Sequence, residues 1–232
     1  VSSEAEYLDR LNILWTCYAL PLKEKNIVTA EDLNTLFHQW EAILSTHQAF
    51  YAELSTKLKD HTLNIGATFL KFSHYFTQYK AYLTNYSDSR DKISEMMTKN
   101  QQFREFCNIT REDARCKGLK VMDLMIEPIA RLPRYKLLLE RLLKNTPEGD
   151  DSEYDVITSA LNKVKEIAME NNESVSESEA IRKNQSDMIE LTMSLSWGSH
   201  VDVSTLDLFE DPNRSLKMSG ILLRQTRRAV RE

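Results

Sequence analysis

Ile126-Glu127-Pro128-Ile129-Ala130-Arg131-Leu132-Pro133-Arg134-Tyr135-Lys136-Leu137-Leu138-Leu139-Glu140-Arg141-Leu142-Leu143-Lys144 is the stretch that decides how this chain reads. Leu132, Tyr135, Leu138, Leu139, Leu142 and Leu143 recur every three or four residues, which is the apolar spacing of a helix. Pro128 and Pro133 interrupt that pattern, and a proline inside a helix loses one backbone hydrogen bond at a cost of roughly 3 kcal/mol. Arg131, Arg134 and Arg141 fall within about 80° of one another on the helical wheel, beside the apolar stripe. An apolar stripe, two prolines and an arginine row on one helix point to a surface that receives a partner.

The rest of the chain supports an all-α fold. Among 232 residues there are five glycines and five prolines, where average usage would give about 16 and 12. Sheet-rich folds need many turn residues, so their scarcity favours long helices with few connections. A hydrophobic share of 41% supplies a core, and a charged share of 28% suits solvated helix faces. The formal charge of −5 argues against broad nucleic-acid binding, which needs a basic footprint. Cys17, Cys107 and Cys116 have no metal-ligand or disulfide-framework spacing and read as reduced thiols of a cytosolic protein. No apolar run approaches the ~18 to 20 residues of a membrane span. Val1 rather than methionine opens the chain, which reads as an excised fragment.

Periodicity predicts a first helix through Tyr7, Leu8, Leu11, Leu14, Trp15 and Tyr18, ended by Pro21. Thr29 with Glu31 and Asp32 marks a helix start, followed by about eight turns from Leu33 to Leu58. An aromatic-rich helix is expected from near Leu63 to Leu83, broken at Ser87 to Ser89, and another from Ile93 to Cys107. The helix of the opening stretch is expected to begin near Arg111 and reach Asn145, and Thr146-Pro147-Glu148-Gly149 stops it. Asp150, Asp151 and Ser152 supply the start of the next helix, whose packed face carries Val156, Ile157, Ala160, Leu161, Val164, Ile167 and Ala168. Beyond Val175 that helix turns mostly polar and reads as a lightly packed rod. After the turn signals Trp197-Gly198 and Asp211-Pro212-Asn213, the basic run from 212 to 232 reads as a strand around Gly220.

Phosphate-cradling loops, zinc-protease spacing and a nucleophile elbow are all absent from the sequence. The five histidines, among them His47, are spread singly and read as packed or solvated. Glu4, four residues before Leu8, reads as a first-turn acid favoured by the helix dipole. Arg134 has Glu127 or a surface acid as its plain partner, and Asn172, about 40° from Ala168, lies near the packed face of its helix.

The residues Leu124 to Leu139 closely resemble the third signature block of Dbl-homology domains, the exchange domains for Rho-family GTPases. Ser3-Glu4-Ala5-Glu6-Tyr7-Leu8 is similar to the family's first block. Ile65 to Phe72, with Tyr79, Tyr82, Asn85 and Tyr86, is similar to the second, and Leu161 to Glu173 to the final core helix. The resemblance implies an elongated multi-helix bundle of the Dbl-homology type over residues 1–192. A linker over 193–211 and a segment over 212–232 resembling the first strand of a pleckstrin-homology domain would follow. It implies a guanine-nucleotide exchange factor that binds the switch regions of a Rho/Rac-family GTPase, without cofactor or covalent chemistry. Glu4 matches the residue expected to engage switch I, and Arg134 and Asn172 the residues expected to engage switch II. Arg131, Leu138 and Arg141 share the docking surface through their place on the third-block helix. Ala130 stands where the family usually has glutamine, and Asn171 where it usually has an apolar residue, which leaves Asn171 and Asn172 one position open in register. A non-catalytic binding bundle with the same fold is the alternative. The setting implied is cytoplasmic, with the basic tail offering contact to phosphoinositides or an anionic plasma membrane.

Overall fold

A computed structural model describes residues 1–61, 64–147 and 153–194, with side chains described as far as residue 187. The chain divides into two units, Val1–Val175 and Ser176–Glu232. Every described element is helical. The first unit contains α1 (Ser2–Ile13), α2 (Leu20–Glu24), α3 (Ala30–Leu36), α4 (Trp40–Lys59), α5 (Ile65–Phe72) and α6 (Tyr79–Lys99). These are followed by α7 (Gln101–Glu112), α8 (Val121–Met125), α9 (Glu127–Lys144) and most of α10 (Glu153–Ser194). The described part of the second unit is the remainder of α10, from 176 to 194. Residues 195–232 lie outside the described residues, and with them nearly all of the expected linker and the whole basic strand. Leu63, Glu148, Gly149 and the helix-start residues Asp150, Asp151 and Ser152 also lie outside them.

The all-α reading holds, while several boundaries move for local reasons. Pro21 does not end the first helix: a π-helical segment, Leu14–Ala19, joins α1 to α2. Pro21 then falls in the opening turn of α2, directly after the π-helical turn. Thr29 caps α3 as expected, its hydroxyl accepting the Asp32 N–H at 3.0 Å. The expected eight-turn helix is instead split by Gln39, whose φ of 61° is left-handed. Ser87 to Ser89 do not break α6, because Ser89 turns inward, donates to the Thr35 carbonyl at 2.7 Å and accepts from Asn85 at 2.8 Å. The break falls at Asn100, whose side chain caps α7 by accepting the Phe103 N–H at 3.0 Å. The helix expected from Arg111 is broken up: it spans the end of α7, a 3-10 turn (Ala114–Cys116), α8 and α9, with left-handed Lys117 (φ 53°) and Gly118 (φ 74°) turning the chain between α7 and α8. Pro128 sits in the first turn of α9 and Pro133 inside it, and α9 runs through both.

The core of the first unit is aromatic. Phe50, Phe69, Phe76 and Tyr135 pack edge-on or stacked with centroids 5.0–6.4 Å apart, joining α4, α5 and α9. Trp40 is fully buried and its indole N–H reaches the Leu11 carbonyl at 3.2 Å, pinning α4 to α1. Cys17, Cys107 and Cys116 are buried as free thiols. α5 meets α10 backbone to backbone at Gly66, where an added Cβ would lie 2.8 Å from the Ile157 nitrogen and 2.9 Å from the Val156 carbonyl carbon. Gly66→Ala is therefore expected to destabilise by about 1–3 kcal/mol despite the better helix propensity of alanine. A urea midpoint equal to or above that of the unmodified protein would contradict this contact.

Candidate functional site

Glu4 and Arg131 meet inside the bundle. Glu4 is 3% exposed and Arg131 2%, and their side chains form an ion pair between α1 and α9. The guanidinium lies between two rings, 4.6 Å from the centroid of Tyr7 and 4.4 Å from that of Tyr135. Its second nitrogen donates to the Ser3 hydroxyl at 3.1 Å. The Tyr135 hydroxyl donates to Glu4 Oε2 at 2.7 Å, and His47 Nδ1 lies 2.6 Å from Oε1. Behind the imidazole, Tyr79 Oη is 2.7 Å from Nε2 and 2.8 Å from Tyr7 Oη. Three helices and the start of a fourth thus converge on one carboxylate.

Burial works against the charge on Glu4, but the His47 hydrogen bond and the positive charge of Arg131 outweigh it and hold the carboxyl below its ordinary range. Burial pulls His47 below its ordinary 6.5, although Glu4 pulls the other way, so the imidazole is neutral at pH 7. Burial likewise pushes the phenols of Tyr7, Tyr79 and Tyr135 up, keeping them as O–H donors. An unfolded chain takes up a proton on His47 near pH 6.5, while the folded chain does so only at lower pH. His47 therefore contributes stability in full above pH 6.5, and that contribution is lost as pH falls below it. Glu4 adds a second loss on further acidification, through and below 4.5. Urea midpoints are expected to fall steadily from about pH 7 to about pH 5; a constant midpoint would contradict a buried neutral His47.

This geometry revises the arginine row. Arg131 does not stand with Arg134 and Arg141 on an open face: it is buried beneath them, because Glu4 gives it a partner inside. Arg134 is exposed and makes no ion pair with a described residue, and Glu127, its expected partner, pairs with Arg10 instead. Glu4 is likewise no solvated first-turn acid. The leucine run is graded: Leu139 is buried, Leu142 and Leu143 are half-buried, and Leu137 is 65% and Leu138 42% exposed. Leu138 and Arg141 line a groove of about 450 Å³ together with polar Ser3, Glu4, Arg131 and Tyr135 and apolar Phe50, Leu54 and Phe69. Four of the six sequence-selected residues, Glu4, Arg131, Leu138 and Arg141, are brought together there.

Arg134 and Asn172 do not line this groove. Lys165 of α10 pairs with Glu140 of α9 at 3.2 Å, and Ile157, earlier in α10, lies against Gly66, next to the Ile65 that lines the groove with Leu142 and Asn145 of the α9 end, so the two helices run antiparallel. Stepping back along α9 and forward along α10 from that pair, at about 1.5 Å per residue, puts Leu137 level with Ala168, one residue before Met169, and Arg134 level with Asn171, one residue before Asn172. Leu137 and Met169, the latter 63% exposed, are large apolar side chains left uncovered on the two helices. Asn172 is exposed and Asn171 is buried, so Asn172 faces outward and Asn171 lies on the packed side. Sequence reasoning did not select His47, Tyr135 or Met169. The available signal was a histidine in phase with the apolar stripe of α4, facing the acid Glu4 across the core.

A model of the RhoGEF domain family matches residues 1–172. The chain belongs to the RhoGEF family. It is 28% identical over 235 residues to the myosin-M heavy chain of Dictyostelium discoideum, covering all of this chain and 13% of that protein. It is 32% identical over 170 residues to Rac guanine nucleotide exchange factor JJ of the same organism, covering 72% of this chain and 14% of the relative. The chain thus spans about a seventh of those relatives or less. Among solved structures, the DH/PH domains of PDZ-RhoGEF, crystallised with GTP-γ-S-activated RhoA, superpose with a TM-score of 0.73 at 25% identity. That likeness covers 79% of this chain and 54% of the other. The DH/PH domains of p115-RhoGEF, at 21% identity and a TM-score of 0.72, share the helical fold over 79% of this chain and 57% of theirs. Among the described residues of this RhoGEF chain no helix is long and apolar enough to cross a membrane.

Proposed function

We propose that this RhoGEF domain binds the switch regions of a Rho/Rac-family GTPase, stabilises its nucleotide-free state and so promotes GDP release and GTP loading. What supports this is the exposed set on two paired helices: Leu137, Leu138 and Arg134 on α9, Met169 and Asn172 on α10, with Glu140 and Lys165 joining the helices. An exposed apolar centre with polar neighbours is the composition of a protein-docking surface. The groove holding Glu4 continues it past Leu138 and Arg141 toward α1. Arginine offers donors alone and asparagine both donors and acceptors, so together they address the mixed backbone groups of a rearranged loop. Such contacts accelerate release only if they are stronger to the nucleotide-free GTPase than to the loaded one.

The Rac exchange factor among the relatives and RhoA in the crystallised neighbour support a Rho-family partner. The domain's part in that reaction is binding and positioning, with no bond made or broken. Residues 1–192 act as the exchange domain, in a cytoplasmic setting, and the basic segment 212–232 would bring it to anionic lipid. The test is release of a fluorescent GDP analogue from a panel of Rho-family GTPases. Faster release from at least one member is expected. Unchanged release across the panel would contradict exchange and leave a non-catalytic binding module.

A further inference from the structure

The cluster behind Glu4 has a defined proton order. A neutral imidazole donates from one nitrogen and accepts at the other. If His47 Nδ1 carried no proton, two lone pairs would face each other over the 2.6 Å to Glu4 Oε1, whose charge Arg131 favours. Nδ1–H therefore donates to Glu4, Nε2 accepts from the Tyr79 hydroxyl, and Tyr79 accepts from Tyr7. The groups facing this imidazole are Glu4 and Tyr7 of α1, Phe50 of its own helix, Phe76 and Tyr79 before and at the start of α6, and Tyr135 of α9. Arg131 reaches it through Glu4.

A carboxylate has about four acceptor sites. His47 occupies one on Oε1, and Arg131 and Tyr135 occupy two on Oε2. One acceptor site of Glu4 is left, and Glu4 lines the groove. We propose that Tyr135, Arg131 and His47 are positioning residues for nucleotide exchange: they fix the Glu4 carboxylate from behind and leave one acceptor for a GTPase donor entering the groove. The inference rests on the exchange reading. Without the three donors, a glutamate in the first turn of α1 samples several rotamers, and misplacement by a fraction of an ångström weakens a contact that must form only in the rearranged complex.

Tyr135→Phe removes one donor and nothing of the ring. Its saturating exchange rate is expected to fall roughly tenfold, while the GTPase concentration for half-maximal rate changes little. In a Glu4→Gln background the same substitution is expected to cause no further slowing, because Tyr135 acts through Glu4. Ile93→Val, a truncation in the α6 core outside the cluster, is the control for lost stability and should leave exchange unchanged. Circular dichroism establishes folding of each variant. His47→Asn, which keeps an N–H donor toward Glu4, should retain more exchange than His47→Leu, giving a second route should Tyr135→Phe misfold. Multiplicative effects of Tyr135→Phe and Glu4→Gln, or equal exchange by the two His47 variants, would overturn the positioning role alone. No release by the unmodified protein would overturn it together with the exchange reading.

Discussion

Replacement of Arg131 by alanine lowers the thermal midpoint by about 10 °C. The side chain is the positive half of a buried ion pair, and removing one partner of such a pair typically costs about 3–5 kcal/mol because the other charge stays buried and uncompensated. In a domain of this size each kcal/mol moves the midpoint by roughly 2–4 °C. The substitution also empties the space between the rings of Tyr7 and Tyr135, so packing and cation–π contact are lost with the charge. Arg134→Ala, three residues along the same helix, should stay within about 0.5 kcal/mol of the unmodified protein, since Arg134 is exposed. A fall of under about 2 °C for Arg131→Ala, or equal falls for both, would contradict the buried pair.

Leu137→Glu leaves the midpoint nearly unchanged and reduces exchange by about a hundredfold. At 65% exposure Leu137 contributes little to the fold, so a charge is tolerated there in the free protein. On the proposed reading the same position becomes the desolvated centre of a complex, with exposed Leu138 next to it in α9, and an unpaired charge there costs several kcal/mol. A hundredfold loss corresponds to about 2.7 kcal/mol, well within that penalty. Exchange within about twofold of the unmodified rate would place the GTPase elsewhere. Loss of exchange together with a large fall in midpoint would instead assign Leu137 to the core.

The helical class was legible because the apolar spacing and the scarcity of turn residues agree over most of residues 1–194. The boundaries were less so. Ser87 to Ser89 looked like a break, but a serine hydroxyl that finds the Thr35 carbonyl of another helix is satisfied in place, and periodicity cannot see that partner. Pro21 looked like a stop because the π-helical segment before it shifts the register without leaving a compositional mark. At the site, the motif supplied Glu4, Arg131, Arg134, Leu138, Arg141 and Asn172 as one set. Only the tertiary fold separates Arg131, turned inward to Glu4 across more than a hundred residues of chain, from Arg134 and Asn172, turned outward. The helical wheel could not make that division, since 80° of arc spans both the edge of a core and the edge of a surface.

Exchange by differential binding is tested most directly by measuring the affinity of this protein for one Rho-family GTPase in its nucleotide-free and its GDP–magnesium forms, under the same salt. The account predicts tighter binding to the nucleotide-free form by about a hundredfold or more, because only unequal affinity can drive nucleotide out. Equal affinity for the two forms would contradict it.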